Sequence, residues 1–89
     1  MARVTIQYWA AAREAAGTDL EPVEAETLAE ALDAIMARRG DDASTERLRS
    51  VLAVSSFLVD GAPAGRSAAS DLVLPDSAHI EVLPQFAGG

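Results

Sequence analysis

The sequence contains no cysteine. That excludes disulfides, thiolate nucleophiles and thiolate zinc sites, and it makes a cytoplasmic location the simplest expectation. Lysine is absent too: all seven basic residues are arginines, set against 14 acidic residues, for a net charge of -7. Such a surface repels a phosphate backbone, so nucleic acid is not an expected partner. Basic protein surfaces are the plausible ones. Aromatic residues are scarce, and the adjacent Tyr8 and Trp9 are expected to pack instead of forming a stacking platform for bases. No apolar run approaches the roughly 18 residues that a membrane span requires, so no membrane partner is expected. Met1 to Ile6 alternates as a strand does and lacks the layout of a signal peptide. There is no glycine-rich phosphate loop. The single histidine, His79, falls in a predicted strand without the partner that acid–base or metal chemistry needs. Asp41-Asp42 reads as a solvated loop, because no further ligand pattern surrounds it. No metal and no bound cofactor are expected.

What is present argues for one small folded domain. About half of the 89 residues are apolar, enough for a single modest core. Val4, Ile6 and Tyr8 alternate with Thr5, Gln7 and Trp9, which predicts a first strand. Ala10 to Ala16 leaves that strand, and Gly17-Thr18-Asp19 is a turn. Leu20 to Glu26 predicts a second, weaker strand, antiparallel to the first. Thr27-Leu28-Ala29-Glu30 fits a capping box, with Glu30 reaching back to the cap amide. Leu28, Ala31, Leu32, Ile35 and Met36 then form one apolar helical stripe. Arg38 and Arg39 suit the negative end of the helix, and Gly40 suits a left-handed C-terminal position. Leu48, Val51 and Leu52 predict a short helical turn. Phe57 to Val59 predicts a third strand, stopped by the tight-turn pair Asp60-Gly61. Residues 64–71 read as a loop carrying Arg66, and Leu72-Val73-Leu74 as a brief pairing. Ile80 and Val82 alternate with His79, Glu81 and Leu83 in a last strand, which Pro84 ends.

The order is strand, strand, helix, strand, strand, and the helix supplies the crossover that lets the last strand lie parallel to the first. The expected fold is therefore α+β, a ubiquitin-like β-grasp with a mixed sheet and one main helix on one face. Residues 1–84 form the domain and residues 85–89 a flexible tail. Leu28, Leu32 and Ile35 are expected to meet Ile6, Val59 and Val82 in one core.

The tail, Gln85-Phe86-Ala87-Gly88-Gly89, carries the functional signal. From Pro84 it reaches roughly 16–18 Å if extended. Two glycines let the backbone enter a narrow channel that side chains would block. The chemistry available there is activation of the Gly89 carboxylate, which requires a good leaving group such as an acyl adenylate. Phe86 either docks the base of the tail in an apolar pocket of a partner or folds back on the core. The lack of lysine has two readings: compositional bias of the coding sequence, or protection of the chain's own amines from its activated end.

Two stretches carry a family resemblance. In "AAAREAAGTD", Ala10, Arg13, Glu14, Gly17 and Thr18 match the segment after the first strand of the molybdopterin-synthase small subunit, and "IEVLPQFAGG" is similar to that subunit's last strand and tail. The chain thus resembles the sulfur-carrier superfamily of the molybdopterin-synthase small subunit and the thiamine-biosynthesis sulfur carrier, closest to the former, over nearly its whole length. It differs in reading "LPDSAHIEV" at the turn before the last strand, and in placing Gln85 where a second proline is common. The resemblance implies a carrier cycle. A ubiquitin-activating-type adenylating enzyme, which binds the ATP, couples AMP to Gly89. A sulfur donor displaces AMP to leave a thiocarboxylate. Pro84, Gln85, Phe86, Ala87 and Gly88 then guide the end into the large subunit of molybdopterin synthase, where sulfur passes to a pyranopterin precursor. The chain is implied to be a sulfur-donating subunit whose chemistry resides largely in its partners. Sulfur carriage for thiamine, cysteine or tRNA thiolation, and attachment to proteins as a ubiquitin-like modifier, are the alternatives.

Overall fold

The computed structural model describes residues 2–40, 42–64 and 72–85. Phe86, Ala87, Gly88 and Gly89 lie outside the described residues, as do Asp41 and all but the first residue of the loop expected at 64–71.

Period-two alternation places Val4, Ile6 and Tyr8 of β1 (Ala2–Tyr8) on one buried face. The chain turns through α1 (Ala10–Ala16) into β2 (Leu20–Ala25). β2 pairs antiparallel to β1, with Val4 opposite Val23 and Ile6 opposite Glu21. The crossover is α2 (Leu28–Ala37) followed by α3 (Ala43–Ala53). β3 (Ser55–Val59), the two-residue β4 (Ala62–Pro63) and β5 (His79–Pro84) complete a sheet ordered β2-β1-β5-β3-β4. β5 runs parallel to β1, Ile6 beside Ile80 and Tyr8 beside Val82, and antiparallel to β3. This is the expected β-grasp arrangement, with the helical layer covering one face.

Leu28, Ala31 and Ile35 are buried against Val4, Ile6, Ile80 and Val82, while Leu32, Met36, Phe57 and Val59 pack around them half-buried. The stripe faces the core as expected, with Ile35 fully buried and Leu32 only half-buried. Thr27 caps α2 by accepting from the Glu30 amide at 3.2 Å. The return bond differs from the expected one: Glu30 accepts from the Glu26 amide at 3.5 Å, one residue before the cap. The Leu28 amide is satisfied by Leu72 O at 3.0 Å, and Thr27 and Val73 form a single bridge, which is where the brief pairing expected at Leu72–Leu74 occurs.

Three differences from the sequence reading have physical causes. Ala10–Ala16 is a helix, because the small side chains of Ala12 and Ala15 let the segment lie close against its neighbours. It ends at Gly17, whose φ of 80° suits glycine and whose amide bonds Arg13 O at 2.9 Å. The turn expected around Leu48 is a helix of 11 residues. Asp42 starts it by accepting from the Thr45 amide at 3.0 Å, and Thr45 and Leu48 are buried. Gly40 does not take the left-handed position. The carbonyl of Ile35 is instead met by the Arg39 guanidinium at 2.7 Å, so a side chain closes the end of α2. By contrast, Asp60 and Gly61 behave as expected, with φ values of 51° and 84° that make the two-residue hairpin turn between β3 and β4.

Candidate functional site at the root of the tail

The tail leaves from the middle of the sheet. β5 lies between β1 and β3, so the strand that leads into the tail is held from both sides. On the β3 side, Ser55 is opposite Pro84 and Ser56 opposite Leu83, and the Gln85 amide bonds Val54 O at 3.2 Å. On the β1 side, the last parallel rung is the Trp9 amide to Val82 O at 3.2 Å. The next donor toward β1 would be the nitrogen of residue 84. Proline has no N–H, and none is needed. The Trp9 carbonyl that would accept it turns away to start α1, taking the Ala12 amide at 3.0 Å. Pro84 therefore releases the chain from β1 without breaking its pairing with β3. Of the tail residues singled out in the sequence, the structure places Pro84, half-buried, and Gln85, exposed, at this root.

Tyr8 and Trp9 divide between the two faces. Tyr8 is 1% exposed within the core, as expected of a packing residue. Trp9 is not a core residue: it is 42% exposed. Alternation along β1 sends it to the face without helices. There its indole N–H donates to Glu81 Oε1 at 3.1 Å. The sequence signal was available, because Tyr8 and Trp9 are adjacent in an extended segment and cannot both face inward. His79 is an ordinary strand residue, with its Nε2 at 2.7 Å from Gln7 Oε1 on the neighbouring strand. The open face beside the root thus presents Trp9, Glu81, half-buried Leu83 and half-buried Leu58.

A second polar group lies on the helical side of β2, bonded to the Tyr8 side chain at the end of β1. Glu21 occupies an inward position of β2, opposite Ile6. Its carboxylate accepts from Tyr8 OH at 2.8 Å, from Arg39 at 2.9 Å and from Arg38 at 3.2 Å. Burial pushes the Glu21 carboxyl upward, but the Arg39, Tyr8 and Arg38 donors outweigh it and hold the pKa below the ordinary carboxylate value. Burial, reinforced by the Glu21 carboxylate, moves the Tyr8 phenol well above its usual range. The geometry requires arginine at position 39, since one guanidinium serves both Glu21 oxygens and the carbonyls of Ile35 and Ala16. Arg13 and Arg47 each make one exposed ion pair, to Asp19 and Glu14, which lysine would serve equally. Sequence reading missed the Glu21 cluster because partners 18 residues apart meet only in the fold.

Chemically, the described residues supply a support and no reaction centre. No group of three or more His, Asp or Glu side chains among them is arranged to hold a metal ion. A cleft of about 380 Å³, lined by Arg3, Pro22, Val23, Glu24, Ala34 and Arg38, lies at β2, which β1 separates from β5. It is therefore not part of the root. No helix among the described residues is long and apolar enough to cross a membrane.

A mixed five-stranded sheet under one helical layer, with its last strand central, parallel to the first and leading into the tail, defines a ubiquitin-like β-grasp protein. Residues 6–89 match the ThiS family, and the chain belongs to it, within the sulfur-carrier superfamily that also includes the molybdopterin-synthase small subunit. No curated protein sequence matches it. Among solved structures, small archaeal modifier protein 1 from Methanosarcina acetivorans is similar with a TM-score of 0.80 and 24% identity, over 100% of this chain and 98% of that one. Small archaeal modifier protein 1 from Haloferax volcanii has a TM-score of 0.74 and 18% identity, over 98% and 99%. A chain from the complex of subunits 1 and 2 of molybdopterin-converting factor from Helicobacter pylori has a TM-score of 0.66 and 21% identity, over 98% and 99%.

Proposed function

We propose that this sulfur carrier is the small, sulfur-donating subunit of a molybdopterin synthase. The observation that carries the reading is the ThiS family match running through to Gly89, together with a central strand released at Pro84. In this cycle the Gly89 carboxylate attacks the α-phosphate of ATP held by a ubiquitin-activating-type enzyme, forming an acyl adenylate and expelling pyrophosphate. The terminal sulfur of a persulfide displaces AMP to give an acyl disulfide, a thiol of the donor system then attacks the donor-side sulfur to form a disulfide, and the carrier leaves with a terminal thiocarboxylate. The large subunit receives the tail and passes the sulfur to a pyranopterin precursor. The fold likeness to a chain of a two-subunit converting factor supports a large-subunit partner. Pro84 and Gln85 set the exit direction, Ala87 and Gly88 thread, and Phe86 docks in an apolar pocket of the partner. The carrier itself binds no cofactor and acts in the cytoplasm, where the ATP-dependent partner operates.

The test combines purified thiocarboxylated chain, its native large subunit and the pyranopterin precursor, and looks for dithiolene product. Absence of product rejects the molybdopterin branch and leaves carriage for thiamine, cysteine or tRNA thiolation. The fold likeness to archaeal modifier proteins favours a second reading, in which Gly89 forms amide bonds with lysines of other proteins. Gly-Gly remnants on target lysines after proteolysis of native cell extract would identify it.

A further inference from the structure

We propose that Glu21 and Arg39 are positioning residues for the root of the tail: they grip both ends of the segment from Tyr8 to Ala16 and so hold Trp9 and α1 in place. That segment does not hold itself. α1 has seven residues and no side-chain cap at its start, and isolated helices of that length do not persist in water. Its first residue, Ala10, has a φ of 49°, a left-handed conformation that a side chain disfavours unless the surroundings impose it.

Burial of Ala12 and Ala15 and the Tyr8 amide bond to Asp19 O at 2.8 Å hold part of the segment, and one ion pair supplies the side-chain grip at both ends. At the entry, Tyr8 OH donates to Glu21 Oε1 at 2.8 Å. At the exit, Arg39 Nη2 donates to the carbonyl of Ala16 at 3.1 Å, and the same nitrogen donates to Glu21 Oε1 at 2.9 Å. The side-chain strap therefore closes through a single carboxylate oxygen, alongside the backbone bond from Tyr8 N–H to Asp19 O. Between the two grips, Trp9 is bonded to Val82 O and to the Glu81 side chain, both on the strand that carries the tail. Stability alone does not explain a carboxylate at this point. An apolar side chain would continue the inward row of Val23 and Ala25, and such replacements of buried ion pairs are often neutral or stabilising. What an apolar residue would not do is tie the Tyr8 side chain, through Arg39, to the Ala16 carbonyl.

The functional arm rests on the carrier reading; the structural arm does not. Glu21→Gln and Arg39→Lys are compared with Ile35→Val, which weakens the core without touching the strap. Amide exchange is read at Ala12 and Arg13, whose N–H groups bond Trp9 O, and at Ile6 and Val82. The emission of Trp9, the single tryptophan, reports the root directly. In Glu21→Gln, exchange at Ala12 and Arg13 should rise about tenfold relative to Val82, and Trp9 emission should shift to the red. Arg39→Lys, which keeps the charge and loses the fork, should behave similarly and covers the case in which Glu21→Gln does not fold. With the adenylating enzyme, both strap variants should raise KM for the carrier about 3–10-fold at unchanged kcat, in proportion to the fraction with a misplaced root. Ile35→Val should leave KM alone. Unchanged Ala12 exchange and Trp9 emission in a folded strap variant, or an equal KM rise in Ile35→Val, overturns the proposal. If the wild-type chain is not adenylated at all, the carrier reading falls, and exchange and emission still decide the strap.

Discussion

Deleting Gly89, or adding one residue after it, separates the chemistry of the tail from the stability of the domain. Among the described residues, the last backbone bond that ties the tail to the sheet is Gln85 N–H to Val54 O. From there four residues carry the carboxylate, a reach of roughly 14 Å when extended. Removing one residue draws the reacting carbon back by about 3.3 Å, and adding one pushes it past by the same distance. In-line attack on a phosphate needs ångström-scale placement, and misplacement of about 1 Å already costs about 100-fold. Adenylation should therefore fall at least about 100-fold in both variants, read as ATP–pyrophosphate exchange catalysed by the adenylating enzyme. The melting temperature should stay within about 1 °C, because neither change reaches a buried residue of the core. Full exchange activity from the shortened chain would refute the terminal-carboxylate mechanism. Equal losses of activity and of melting temperature would show that the tail stabilises the domain, contrary to the separation argued here.

Other outcomes follow from the core, the hairpin and the buried carboxylate. Ile35→Ala should cost about 2–5 kcal/mol in chemical denaturation, since Ile35 is fully buried, while half-buried Leu32→Ala should cost clearly less; the reverse order would contradict the placement of the helix. Gly61→Ala meets no atom within 4 Å, so its cost, about 1–2 kcal/mol, should come from the backbone at φ 84° alone and appear as faster amide exchange in β3 and β4. Phe86→Ala should weaken binding to the large subunit and leave the thiocarboxylate chemically competent, measured by titration calorimetry and by mass. Glu21 faces Tyr8, Arg38 and Arg39, and its pKa is lower in the folded chain than its ordinary 4.5. Below that ordinary value the unfolded chain binds the extra proton, so stability rises with pH there. The contribution is present above 4.5 and is lost as pH falls through the lower folded value. Glu21→Gln should flatten that acid limb in melts followed by circular dichroism.

Local patterns were enough for most of the architecture. Alternation at Val4–Ile6–Tyr8 and Ile80–Val82, the Thr27 cap, the stripe through Ile35 and the Asp60-Gly61 turn each have one stable solution with a few neighbours in sequence. The tail signal, two glycines behind an aromatic residue, is local as well, and it lies outside the described residues. Where the outcome depended on distant partners, the sequence was silent or misleading. Alanine-rich 10–16 has no stripe of large residues to announce a helix, and it becomes one only where Ala12 and Ala15 find a surface that admits small side chains. Gly40 is a plausible helix stop, yet Arg39 closes α2, because its guanidinium finds Glu21 on the preceding strand, β2. Glu21 looks like one more member of an acidic surface. Only the register that sets it opposite Ile6 makes it the buried link between Tyr8 and Arg39, since hydrogen bonds and ion pairs act over ångströms in space and take no account of separation along the chain.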